Sequence, residues 1–292
     1  MINQIQTIIE SREKLLGTMP ITRVLPWVKK RMVGPFIFLD HMGPVHFDKE
    51  HHINVNAHPH IGLSTLTYLF RGRIHHKDSL GSSVVIVPGE VNCMTAGSGI
   101  SHSEKAPEED LGLESDLHGL QFWVALPDDQ EEVAPSFYNF KQSEIPKINT
   151  EDAEINVVVG EYDSKKSPVK SYSPLIFLNI KAIKDFNFKY ESKKFEVALY
   201  LIEGSLTVNN ESYSNHEMIV FAPGSDISVI ISSGTHCVLI GGEAFQNPKY
   251  IWWNFVSSSK ERIDLARNKW NAGDFPQVPN ESEKLLAPLE VI

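Results

Sequence analysis

Two jelly-roll β-barrels and a single helix near the C-terminus, an all-β class, are predicted by three observations. First, short runs rich in β-branched and aromatic residues recur along the chain: "GPFIFLDH", "STLTYLF", "SVVIV", "LQFWVAL", "INVVVG", "FEVALYL", "MIVFA", "ISVIIS" and "HCVLIGG", separated by Gly, Pro, Asn and Ser turns. Second, "YLFRG" at 68–72 is echoed by "YLIEG" at 200–204, an offset of 132, and "VPG" at 87–89 by "APG" at 222–224, an offset of 135. Third, each half has a strand ending in Gly, a hairpin excursion and a Pro-Gly turn before another strand. Short antiparallel strands in that order suit a barrel that closes off most edges and leaves an interior able to hold a ligand.

Taken in order, the chain opens on "MINQIQTIIESREKLLG", which is polar and has no apolar signal core. The first block of strands follows. A stretch from "LPDDQEEVAPSF" to "INTEDAE" is charged and proline-bearing with few β runs, and the domain connection is expected there. The expected domains are 1–136 and 137–292, the second without a metal site and ending in the helix. That helix is "SSSKERIDLARNKWNAGDF", with serine caps, apolar Ile263, Leu265, Ala266 and Trp270, and Gly273 as its stop.

At 292 residues, 41% hydrophobic and 22% charged, the chain has the composition of a folded globular protein. Its 37 acidic and 27 basic residues give a net charge of -10 with no dense basic block, which argues against direct nucleic-acid binding through phosphates. Cys93 and Cys237 are too few for a disulfide framework or a cysteine-based zinc site. No apolar run approaches the roughly 18 residues of a membrane span. A cytoplasmic, reducing location is the expectation.

The chemistry concentrates in two places. In "NAHPHIG", His58 and His60 project to one side of a strand with Pro59 opposite, and in "SGISHSE" His102 and Glu104 repeat that spacing. A lone H-x-H in a chain with 12 histidines is more often incidental than ligating. A second same-face pair behind a Gly-rich turn reverses that judgement, because a hairpin between the pairs would bring three imidazoles and a carboxylate together inside the barrel. The adjacent pairs His51/His52 and His75/His76 point to opposite faces and read as solvated loop residues. His41 and His118 read as structurally satisfied, with a place beside the cavity as the alternative, and Cys93 and Met94 as packing. Counted by offset, the second half carries Tyr190, Ser192, Cys237 and Leu239 at the four positions, with His236 one residue out of register, so that barrel is expected to be metal-free.

"GPFIFLDHMGP", "HPH", "TYLFRG", "PGEVNCMTAGSGISHSE", "LHGLQFWVALP" and "IWWNFVSSSKERI" together resemble the pirin family of the cupin superfamily over almost the whole chain. The resemblance implies a bicupin with one iron in the N-terminal barrel, held by His58, His60, His102 and Glu104. It also implies one of two roles. One is a quercetin 2,3-dioxygenase, acting on a flavonol or other enol with dioxygen, in which Glu104 is the candidate base. The other is an iron-dependent, redox-responsive co-regulator acting on a protein partner without turnover. Ser64 stands where many cupins carry a glutamate. The donor set itself accepts one divalent ion, whether Fe, Mn, Co, Ni, Cu or Zn, and Fe(II) is chosen on the resemblance.

Overall fold

The computed structural model describes residues 4–17 and 19–288. Among these residues it is built almost wholly from antiparallel strands, with one α-helix, α1 (Lys260–Ala272). The repeat found in the sequence is a repeat of seven strands. The first set is β1 (Asn54–His60), β2 (Leu63–Arg71), β3 (Ile74–Asp78), β4 (Ser83–Ile86), β5 (Val91–Thr95), β6 (Ile100–Lys105) and β7 (Ser115–Ala125). The second is β8 (Phe186–Tyr190), β9 (Glu196–Glu203), β10 (Leu206–Val208), β11 (Glu211–Tyr213), β12 (Glu217–Phe221), β13 (Ile227–Ile231) and β14 (His236–Gly242). Each set makes a four-stranded sheet, in the order β1-β6-β3-β4 or β8-β13-β10-β11, and feeds a larger sheet through β5-β2-β7 or β12-β9-β14. This is the jelly-roll arrangement, made twice, that the strand rhythm implies.

The compact units do not follow one cut in the chain. One consists of 1–13, 22–39 and 143–245, and the other of 14–21, 40–142 and 246–292. A division at 136 therefore lies close to the central crossover at 142 and 143 but leaves out the exchanged ends. The physical reason is edge protection: Ile5–Glu10 pairs with β12 and completes the sheet of the second barrel. The tail from 246 onward, including α1, belongs to the unit of the first barrel. Sequence order alone assigns that helix to the second domain.

The repeat also has a different register from the one counted by offset. "YLFRG" and "YLIEG" do lie at equivalent ends of β2 and β9, but "VPG" connects β4 to β5 whereas "APG" connects β12 to β13. The equivalent of β6 is thus β13, while Cys237 and Leu239 sit on β14, the counterpart of β7. His102 faces His58 across β6 and β1, and the matching pair is Ile227 facing Tyr190. Shorter turns in the second copy move the offset. The interior there is a continuous apolar cluster that includes Phe188, Leu199, Leu201, Phe221, Ile227, Val229 and Leu239.

In α1, Ser259 caps the helix by accepting from the Arg262 N–H, and Gly273 ends it at φ 85°. Ile263, Ala266 and Trp270 are buried as the pattern suggests, but Leu265 is 54% exposed because it lies off that face.

Candidate metal centre

The site is assembled by two neighbouring strands. Ile100 faces His60 and His102 faces His58 across β6 and β1, so alternation turns all three histidines to the barrel interior. A bulge after His102 shifts the register, and Glu104 comes to face Val55 on one side and His76 on the other. One ring nitrogen from each of His58, His60 and His102 lies within 4.8 Å of the other two, and the three residues are 5%, 1% and 1% exposed. The Glu104 carboxylate is buried too but stands outside that 4.8 Å group.

His58 and His60 are each anchored through Nδ1, which leaves Nε2 as the ligand atom. His58 donates from Nδ1 to the Asn56 carbonyl (2.9 Å) and His60 from Nδ1 to the Asn254 carbonyl (3.0 Å). A carbonyl only accepts, so in both neutral rings the proton is on Nδ1 and the lone pair on Nε2. Asn254 lies in the two-residue turn of a tail hairpin, Tyr250–Trp252 with Phe255–Ser257, where Trp253 takes up φ 49°. The tail is tied to the barrel nearby by Ser101, which donates to the Pro276 carbonyl (2.5 Å), and by Leu285 N–H, which donates to the Ala57 carbonyl (2.8 Å).

Burial pushes the His58 imidazole down to about 4 and takes His60 and His102 well below their ordinary range, with the neighbouring rings adding to the effect. All three are therefore neutral donors near pH 7. Burial raises the Glu104 carboxyl to about 7. The His60 and His102 Nε2 atoms are 3.1 Å apart. Two nitrogens bound at about 2.1 Å and at right angles on an octahedral ion would be separated by about 3.0 Å. A buried cluster of lone pairs at that spacing fits a divalent metal ion. Trp123, edge-on to the His60 ring at 5.1 Å, supplies an apolar wall.

Other residues singled out in the sequence fall elsewhere. His51 and His52 are in the loop before β1, with His51 on Asp48. His76, expected in a solvated loop, is on β3 and 3% exposed, and it sits beside His102 (Nδ1···Nδ1 3.3 Å). The adjacent-histidine rule failed because β3 is half-buried: His75 turns out to Ser83 while His76 turns in. The alternation of buried Ile74, His76 and Asp78 is the signal that could have found it. His41 and His118 pair with each other (Nε2···Nε2 2.8 Å), and His236 pairs with Asn179 (2.6 Å). Cys93 is buried on β5. Ser64 shares a hydrogen bond with Thr95 (3.0 Å), across β2 and β5. A cavity of about 1220 Å³ opens on the second barrel around Tyr162, Tyr190 and Lys193, so volume alone does not point to the histidines.

Among the described residues no helix is long and apolar enough to cross a membrane. The pirin family model matches residues 18–124, and the pirin C-terminal cupin domain matches 177–276. A pirin-like protein of Caulobacter vibrioides is 42% identical, with 92% of this chain and 94% of the relative covered. Pirin-1 of Arabidopsis thaliana is 32% identical, with 82% of each covered. Among solved structures, a quercetin 2,3-dioxygenase from Acinetobacter baumannii superposes with a TM-score of 0.90 at 35% identity, covering 97% of this chain and 95% of that one. Matched in both halves by family models and along most of its length by such relatives, the chain belongs to the pirin family of the cupin superfamily.

Proposed function

We propose that the protein is a metal-dependent dioxygenase that cleaves the oxygen-bearing ring of a flavonol such as quercetin, with release of carbon monoxide and a depside. The observation that carries this reading is the triad of buried, neutral imidazoles, each with a ring nitrogen within 4.8 Å of the other two. His58, His60 and His102 would hold one Fe(II) per chain, with the Glu104 carboxylate as fourth ligand once its side chain turns into the group. When bound, the ion supplies Lewis acidity and a one-electron redox couple.

The chain's own residues do the rest. The carbonyls of Asn56 and Asn254 hold two of the rings in place, so His58 and His60 need no reorganisation on loading. Glu104, whose carboxyl burial raises to about 7 in the metal-free site, would take the proton of the flavonol 3-hydroxyl when its carboxylate is released from the ion. Trp123 and the apolar interior exclude water from the enolate so formed.

The test is anaerobic loading of metal-stripped protein with Fe(II), followed by quercetin and dioxygen. Loss of flavonol absorbance with stoichiometric carbon monoxide, abolished by His60→Ala, is the expected result. Full metal loading without turnover on several flavonols would overturn the dioxygenase reading and favour a redox-responsive binding protein.

A further inference from the structure

We propose that Asp78 and His76 form a buried positioning relay that fixes the proton of His102 on Nδ1 and holds its Nε2 lone pair toward the other two imidazoles. The consequence for metal affinity rests on the reading of the triad as a metal centre; the tautomer itself does not.

The relay follows from counting donors and acceptors. Asp78 is wholly buried at the end of β3, and its Oδ1 accepts the backbone N–H groups of Leu80 (2.9 Å) and Ser82 (3.0 Å). Its Oδ2 is left for His76 Nε2 at 3.1 Å. An ionised carboxylate only accepts, so His76 donates from Nε2, and a neutral ring then has its lone pair on Nδ1. That lone pair meets His102 Nδ1 at 3.3 Å. With His76 neutral, His102 donates from Nδ1, which turns its Nε2 lone pair toward His60 Nε2, 3.1 Å away. Phe137 lies flat on the His76 ring, 4.3 Å between centroids at 11°, and fixes its plane.

His102 differs in this from the other two histidines. His58 and His60 are oriented by main-chain carbonyls, which carry no net charge and which no side-chain substitution removes. His102 alone is oriented through side chains, with a carboxylate two hydrogen bonds away. That charge makes its ring the more electron-rich donor and favours the higher oxidation state of a bound ion. Within the triad, His102 is thus the ligand whose strength depends on residues that contact no metal.

The experiment uses the full chain in two states. In metal-free protein, long-range ¹H–¹⁵N NMR reads the imidazole tautomers. His102 is expected as the Nδ1–H form in the wild type and as a tautomer mixture in His76→Leu, with His58 and His60 unchanged. His76→Gln restores the single form, because its amide both accepts from His102 and donates to Asp78. In cobalt titrations His76→Leu is expected to bind Co(II) about 10–100-fold more weakly than wild type, with His76→Gln closer to wild type. In iron-loaded protein, Asp78→Asn is expected to raise the Fe(III)/Fe(II) potential. A wild-type His102 with its proton on Nε2 would overturn the relay. So would a His76→Leu protein that keeps the Nδ1–H form, or equal losses in His76→Leu and His76→Gln. A wild type that has the expected tautomer yet binds no Co(II) would overturn the metal-centre reading and leave the relay standing.

Discussion

Each of the four predicted ligands carries a proton-linked property that can be measured. Glu104 is protonated below about 7 in the metal-free site, whereas His58, down at about 4, is already neutral at pH 6. If Glu104 becomes a ligand, uptake of a divalent ion at pH 6 should release about one proton per ion, falling away as the pH rises above 7. Calorimetry in buffers of different ionisation heat reads that number, and Glu104→Gln should abolish it; an unchanged release would remove Glu104 from the ligand set. The histidines predict the acid stability of the metal-free protein. Their folded pKa values lie below the unfolded 6.5, so their contribution is complete above 6.5 and is lost as the pH falls below it, through about 4 for His58. For His58 alone the loss is on the order of 3 kcal/mol, and urea melts of Glu104→Gln protein at pH 7 and pH 4.5, free of the opposing carboxyl, would measure the histidine contribution. Glu104 has the opposite sign: its contribution is complete below 4.5 and is lost as the pH rises through about 7.

At the scale of elements, the tail and the β1–β2 turn hold the triad in place. Glu131 is buried and accepts from Lys249 Nζ (2.6 Å), Ser257 Oγ (2.7 Å) and the Ser258 N–H (2.7 Å), and pairs with Arg262 (3.3 Å). Glu131→Ala removes a carboxylate paired with the buried Lys249 ammonium, and should cost about 3–5 kcal/mol in denaturant unfolding. Gly62 follows His60 and Ile61 at the turn into β2, at φ +68°, where an added Cβ would lie 2.0 Å from the Val256 carbonyl oxygen. Gly62→Ala should therefore destabilise by at least about 2 kcal/mol and weaken metal binding. A variant as stable as wild type would show that the turn is less constrained than its geometry implies. Legibility at this scale was uneven. The strands were readable because their apolar alternation is local, and α1 because its cap, face and stop are all local. The inward turn of His76 was not, since two adjacent histidines look the same in a loop and in a strand until the pairing of β3 with β6 is known.

For the whole molecule, two barrels with one histidine triad among the described residues lead to a stoichiometry. Protein purified without added metal should carry about one ion per chain by mass spectrometry, and its removal should lower the melting temperature because the ion binds only the folded state. His236→Ala should leave the metal content unchanged, since His236 lies on β14 and bonds to Asn179; a drop would mean that the second barrel takes part. The sequence by itself determined the fold class, the two-barrel repeat and the H-x-H and H-x-E pairs, because each is written in residues only a few positions apart. Only the tertiary structure decided which unit owns each chain end, which strands of the two copies correspond, and that Asp78 and His76 stand behind His102. Those facts depend on β-pairing between segments far apart in the chain, and residue spacing carries no record of which edge a distant strand will fill.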